Sequence, residues 1–321
     1  MGMYDRLQDP GHNAGVASAM RNAGSARAFR QTLRSNADLR ELVMQPLASE
    51  IQIWTAYIWQ FLIQRIFSAQ GMGDFYSSND ENAAYYIRNI DEIDYLMKTG
   101  DTALADEFAR RTWKKQALDA VFPVDNNADP IPRPGASLFP RDDHPWLAST
   151  RAAAIEALAS QLLRIFDVFS RPMNNGLDLT RTLITHAVRL NECMLHGAEV
   201  IYTVDLGTGS DDDFYQNLDN MTMSTVNTDL GRTVPLRRVT RGQTQDYVRS
   251  RLYKVCVVEP ALRYQSYQSS DLNDPQYGPA VTVINSTVTV GWGLNRNNPP
   301  TISPPRKNNM FYIMAQSLGY A

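Results

Sequence analysis

Residues 46–67 read PLASEIQIWTAYIWQFLIQRIF, and this stretch decides the fold. Proline is favoured in the first helical turn, where its missing donor costs nothing, so Pro46 and Leu47 open a helix expected to reach Phe67. Leu47, Ile51, Trp54, Ile58, Phe61, Leu62 and Arg65 fall on one stripe, and Ile53, Ala56, Trp59, Ile63 and Phe67 on a second. A helix apolar on two sides belongs at the centre of a helical body or forms half of an interface. Trp54, Tyr57, Trp59 and Phe61 are expected in the core rather than as a base-stacking surface, because aromatics at helical spacing usually pack. Glu50, Gln52, Gln60, Gln64 and Arg65 would be penalised by several kcal/mol in total at a bilayer centre, so no transmembrane segment is expected.

Toward the N-terminus, residues 1–45 are expected to form a mildly basic arm in which Arg21, Arg27, Arg30, Arg34 and Arg40 outnumber Asp38 and Glu41. Two readings stay open for these arginines: contact with nucleic acid or an acidic partner, and a solvated helical face with Ala and Leu between the charges.

In the other direction, residues 46–199 read as a helical domain. Asp80 caps a helix that continues through Asp91–Met97 until Gly100, and Asp101 or Thr102 caps the next. In that helix Asp106 faces Arg110 and Glu107 faces Arg111 in the favourable acid-first order. Six prolines make residues 122–147 a long loop, arm or linker. A helix over 150–169 is expected to bury Ile155, Leu158, Leu162, Ile165, Phe166 and Phe169 and to leave Arg151, Glu156, Ser160, Arg164 and Asp167 outside. A further helix over 179–198 has Asp178 as cap and Leu183, Ala187, Leu190 and Met194 inward.

From Val200 the character changes, and residues 200–321 read as a β-containing region ending in an extended segment. Val200–Val204, Thr233–Val239 and Leu252–Val258 read as strands. Val281–Ile284 and Thr287–Val290 flank Asn285-Ser286 as a two-residue hairpin. After the Asn- and Pro-rich stretch 295–305, residues 309–318 offer a last amphipathic helix. The fold class expected is therefore α+β, mainly helical over the first two thirds and β-containing and loop-rich in the last third.

Composition agrees with a packed protein: 321 residues, 43% apolar and 10% aromatic, with a net charge of -3. Area scaling puts the folded surface at roughly 13,000 Å² against about 52,000 Å² unfolded, enough burial to need neither disulfide nor metal. The two cysteines, Cys193 and Cys256, and a polar stretch from Met1 to Asn13 suit a reducing compartment rather than secretion, so the sequons at Asn220 and Asn285 carry no weight. Arginine outnumbers lysine 26 to 5. Its planar, weakly hydrated fork suits interfaces and phosphates, although genomic base composition produces the same bias.

The candidate chemistry is sparse. Val200–Ser210, VIYTVDLGTGS, resembles the first strand and glycine loop of S-adenosylmethionine-dependent methyltransferases at Asp205, Gly207 and Gly209. That resemblance covers about ten residues and implies a doubly wound sheet with backbone amides approaching the cofactor. It ends at Asp211, Asp212 and Asp213, which stand where a cofactor carboxylate would seek donors, and too few residues follow for alternating strands and helices. The three acids read better as the cap of a short helix through Leu218 than as a cation site. His186, Arg189, Cys193 and His196 share a stripe, yet His186 and His196 lie about 15 Å apart along a helix, too far to share a metal. Asp142, Asp143 and His144 read as a solvated turn anchored by Trp146.

These readings converge on a structural assembly protein, expected as a virion capsid or nucleocapsid subunit in a multi-copy homo-oligomeric shell. A phage connector or other ring component shares the same features. The competing class is the methyltransferase. No cofactor and no metal are expected; the expected partners are further copies of the chain and nucleic acid, with no membrane, and the expected location is a virion or the cytoplasm.

Overall fold

The computed structural model describes residues 23–44, 48, 50–68, 75, 81–99, 107–121, 145–169, 175–195, 200–205, 222–227, 232–233, 236–268 and 276–293. The fold is α+β: among the described residues, helices fill the first two thirds and the strands lie in the last third. Among the described residues the helices that come first are α1 Ala23–Ser35, α2 Ala37–Met44, α3 Glu50–Leu62, α4 Glu81–Thr99, α5 Glu107–Val121, α6 Pro145–Phe169 and α7 Gly176–Leu195. Then follow β1 Val200–Asp205, β2 Thr222–Asn227, β3 Arg232–Thr233, α8 Leu236–Thr240, α9 Gln245–Arg251, β4 Leu252–Glu259, β5 Ala261–Gln268, β6 Gln276–Tyr277, β7 Val281–Ile284 and β8 Thr287–Trp292.

α3 lies at the centre, but it starts at Glu50 rather than at Pro46, with Ala48 outside the helix, and Ile51 of the first expected stripe is 52% exposed. Ile53, Trp54, Ala56, Tyr57 and Leu62 are buried in one cluster with Phe29 and Leu33 of α1, Leu39, Leu42 and Val43 of α2, Ala154, Ile155, Leu158, Ala159 and Leu162 of α6, and Ile184 and Val188 of α7. Residues 23–44 of the expected arm are thus packed helices. Beyond Leu62 the helix widens into a π turn over Ile63–Phe67, and the buried amide of Asn191 on α7 donates to the Ile66 carbonyl at 2.9 Å. This bond satisfies an acceptor at a helix end, where carbonyls lack intrahelical partners.

Several expectations need correction. Arg151 faces inward: it is buried on α6 and its Nε lies 3.1 Å from Glu192 of α7, itself buried. Its long side chain is tolerated inside because its charge meets a carboxylate. Leu190 is 40% exposed, since the buried stripe of α7 runs through Thr180, Ile184, Ala187, Val188 and Asn191. α6 starts five residues before the expected position, at Pro145, where proline needs no donor. Of the strand expected over Thr233–Val239, the described residues are a strand at Arg232–Thr233 and helical at Leu236–Thr240. Ile165, Phe166, Phe169 and residues 309–318 lie outside what is described of side chains or backbone.

The largest correction concerns Asn285-Ser286. β7 and β8 do not pair with each other: β8 lies antiparallel to β4, and β7 lies antiparallel to β5. β4 and β5 continue one another through Pro260, and β6, β7 and β8 run back along them from Tyr277 opposite Tyr267 to Trp292 opposite Leu252. The result is one long antiparallel ribbon that turns a corner at Pro260 and Asn285-Ser286. Proline is tolerated there because a corner needs no ladder donor. Register shifts between Lys254 and Cys256 and between Val257 and Glu259 mark bulges just before the bend, as strands that change sheet require.

Each half of the ribbon joins a different sheet. The half formed by β4 and β8 takes β2 parallel to β8, then β3, in the order β3-β2-β8-β4. The other half takes β1, antiparallel to β5 from Val200 opposite Ser266 to Asp205 opposite Ala261. β4 divides its side chains: Val255, Cys256 and Val258 enter the helical core against α2 and α3, whereas Leu252 and Val257 join Val288, Val290 and Trp292 in a second cluster closed by Leu236 of α8 and Val248 of α9.

Candidate functional site

The sequence singled out five arginines near the N-terminus. Arg21 lies outside the described residues. Arg27, Arg30 and Arg34 are exposed on α1, three and four residues apart and so on one face, with Phe29 and Leu33 buried on the other. The core therefore orients the arginines: α1 cannot bury Phe29 and Leu33 without turning its basic stripe to solvent. Arg40 is exposed on α2, which starts where the Asn36 side chain accepts the Leu39 amide at 2.7 Å.

A second basic surface went unassigned in the sequence because residues 233–239 read as a strand. Between Leu236 and Arg251 stand Arg237, Arg238, Arg241, Arg249 and Arg251 against one acid, Asp246. α8 and α9 form a small helical hairpin: Gly242 takes φ +74° in the turn, a backbone angle other residues reach with strain. The Thr244 side chain caps α9 by accepting the Tyr247 amide at 3.3 Å. Leu236 and Val248 anchor the hairpin on the sheet, leaving Arg237, Arg238, Arg241 and Arg249 exposed. The Arg251 guanidinium lies 5.2 Å from the Tyr247 ring centroid, and that ring leans on Trp292 at 6.2 Å. The density of arginine was the signal available in the sequence.

A cleft of about 1040 Å³ opens between α4, α5, the end of α7 and β1. Its wall is an ion-pair ladder: Lys114 reaches Asp91 at 2.8 Å and Asp94 at 3.1 Å, Arg110 pairs with Asp94, and Arg111 meets Glu107 at 3.0 Å. Arg110 thus turns to Asp94 and Glu107, while the expected partner Asp106 lies outside the described residues. Arg111 also covers the Tyr277 ring at 5.4 Å, and Phe108 stacks on Tyr267 at 4.1 Å, joining α5 to the ribbon. Asp91, Asp94 and Glu107 of this ladder are already matched by bases, while Arg88, Glu92 and Lys98 also line the cleft.

Exposed apolar residues concentrate on α4. Tyr85, Tyr86, Ile93 and Leu96 are 63%, 52%, 44% and 57% exposed, and their spacing places them on one side of the helix, opposite buried Ile87. Val281, Val283 and Ile284 of β7 are exposed as well.

The remaining candidates do not converge. Asp205 ends β1 in an ion pair with Arg263 at 3.2 Å, and β1 lies antiparallel to β5 rather than in the parallel sheet that the methyltransferase resemblance implies. Gly207, Gly209, Asp211, Asp212, Asp213, Asp142, Asp143, His144 and His196 lie outside the described residues. His186 and Cys193 are exposed on α7, and partial burial, more than the Glu192 carboxylate, pushes the Cys193 thiol up despite Arg189 nearby. Among the described residues no three His, Cys, Asp or Glu side chains gather as a metal site, and no helix is long and apolar enough to cross a membrane. Protein-family models, curated proteins and solved structures give no match to this chain.

Proposed function

We propose that this chain is a structural assembly subunit, of the kind that builds a virion capsid or nucleocapsid shell, with other copies of itself as principal partner and nucleic acid as the enclosed cargo. The observation that carries the reading is the stripe of Tyr85, Tyr86, Ile93 and Leu96, which leaves large apolar side chains in water along one helix. Contiguous exposed apolar surface marks an interaction site, because removing it from water is favourable by about 25 cal/mol per Å². β7, exposed at Val281, Val283 and Ile284, adds strand surface of the kind that recruits another chain. The basic stripe Arg27, Arg30 and Arg34 supports the cargo half of the reading.

Light scattering after size exclusion, with electron microscopy of the same fractions, tests it. Closed multi-copy particles are the expected result, and Tyr85→Ser/Ile93→Ser/Leu96→Ser should shift the chain to small species with unchanged helicity. Rings would make it a connector-type component, and a monomer at high concentration would refute assembly. Saturable S-adenosylmethionine binding lost in Asp205→Ala would move the chain to the methyltransferase class.

A further inference from the structure

We infer that the α8–α9 hairpin is a binding site for single-stranded nucleic acid, in which Arg237, Arg238 and Arg241 take backbone phosphates and Tyr247 offers a ring to a base. The inference rests on the cargo half of the reading above but places the contact on the opposite end of the chain from the arginines of α1.

Three observations carry it. First, charge: five arginines face one acid between Leu236 and Arg251, in a chain whose net charge is -3. Arg237, Arg238 and Arg241 are exposed and meet no acid among the described residues, so within that part of the fold their charge is open to an external anion. Guanidinium forks match phosphate oxygens in bidentate fashion. Second, architecture: the hairpin sits on the sheet face opposite the helical core, held by Leu236 and Val248 against Leu252, Val257, Val288, Val290 and Trp292. A stiff sheet beneath holds the arginines in place without consuming them. Third, the aromatic: Tyr247 is 39% exposed within the basic patch, and a basic surface bearing an exposed ring is the combination that binds single strands. The helices have five and seven residues, roughly 8 and 10 Å at 1.5 Å per residue, short for reading a duplex groove and sufficient to cradle a strand.

Fluorescence anisotropy of the full chain with labelled oligo(dT) and oligo(U), across a salt series, tests the site. Wild type should bind with a negative slope of log affinity against log salt. Arg237→Gln/Arg238→Gln/Arg241→Gln should shrink that slope by about 2, since each single-strand phosphate contact contributes about 0.7. The corresponding triple lysine variant should keep most of the slope, and Tyr247→Ala should weaken binding about tenfold or more at fixed salt. All three alter exposed side chains, and circular dichroism melting should confirm an unchanged fold. If the glutamine variant binds like wild type while Arg27→Gln/Arg30→Gln/Arg34→Gln abolishes binding, this site is refuted and the cargo reading stands. If wild type binds neither oligonucleotide at low salt, both fall. If the glutamine variant instead loses self-association measured without nucleic acid, the patch docks an acidic protein surface and the inference is overturned.

Discussion

β7 and β8 are neighbours in sequence with nearly the same residues, Val281-Thr-Val-Ile284 and Thr287-Val-Thr-Val290, yet they end in opposite environments. All four residues of β7 are exposed, whereas Val288, Thr289 and Val290 of β8 are buried. Propensity and alternation do not separate them, because both strands run along one ribbon with continuous pairing to β4 and β5. What differs is cover. The helices α2 and α3 lie on β4, and α8 and α9 close the other face, while β7 lies past the corner at Asn285-Ser286. β-propensity records fitness for a pleated surface and leaves the burial of that surface to other elements.

The comparison is sharpest at Trp292, the buried end of the covered half. Trp292→Ala should cost about 3–5 kcal/mol in urea denaturation, as expected for removing a large buried ring, and a change below 1 kcal/mol would mean that the second cluster contributes no core. A smaller effect separates the strands themselves. Val290→Ala should cost about 2 kcal/mol and Val283→Ala no more than about 0.5 kcal/mol; equal costs would erase the distinction between the two halves, and a solubility gain in Val283→Ser would mark β7 as an interface strand.

Cys256 probes the covered half chemically. Burial, with Asp38 and Glu41 adding to it against Lys254, pushes its thiol up to about 12. The folded state therefore holds this proton more tightly than the unfolded chain. Its contribution to stability is complete below the ordinary thiol value near 8.5 and is lost as pH rises from there toward about 12. Stability measured across that alkaline window should fall, less so in Cys256→Ala, and thiol reagents at neutral pH should label exposed Cys193 and spare Cys256 until unfolding.

The smallest expected effect lies between α6 and α7. Arg181 bonds Glu156 through Nε at 2.8 Å and Nη2 at 3.2 Å, and this hydrogen bond, more than its charge alone, holds the Glu156 carboxyl below the usual range. That contribution is present above the ordinary glutamate value near 4.3 and is lost as pH falls below it. Glu156→Gln should lower stability slightly at neutral pH and not in acid, in contrast to Glu192→Ala, which removes the buried carboxylate paired with Arg151 and should cost about 3 kcal/mol at neutral pH.

Much of the helical body was legible from residue order. Most of the apolar pattern of α3 and the amphipathic pattern of α1 are local, and a helix follows from residues three and four apart, whereas Asp80 and Gly100, expected to bound α4, lie outside the described residues. The α+β division was likewise written in the change of composition at Val200. The arginine stripe of α1 was legible too, since Phe29 and Leu33 leave Arg27, Arg30 and Arg34 only one side to occupy. Other features depended on partners far along the chain. Arg151 reads as a surface residue until Glu192, forty-one positions later, supplies its counter-charge. Asn285-Ser286 carries every local sign of a hairpin turn, but the strands on either side had β4 and β5 to pair with, and a corner opposite Pro260 served both. The basic hairpin of α8 and α9 was hidden by β-branched residues that resemble a strand until Leu236 and Val248 find a sheet to lie on. Order along the chain thus determined which segments of the first two thirds coil and most of the apolar face of each, because those depend on neighbours within a turn. Tertiary structure alone decided which strand is covered, which arginine is buried and which arginines remain for a ligand, because burial and charge compensation are settled by residues that only folding brings together.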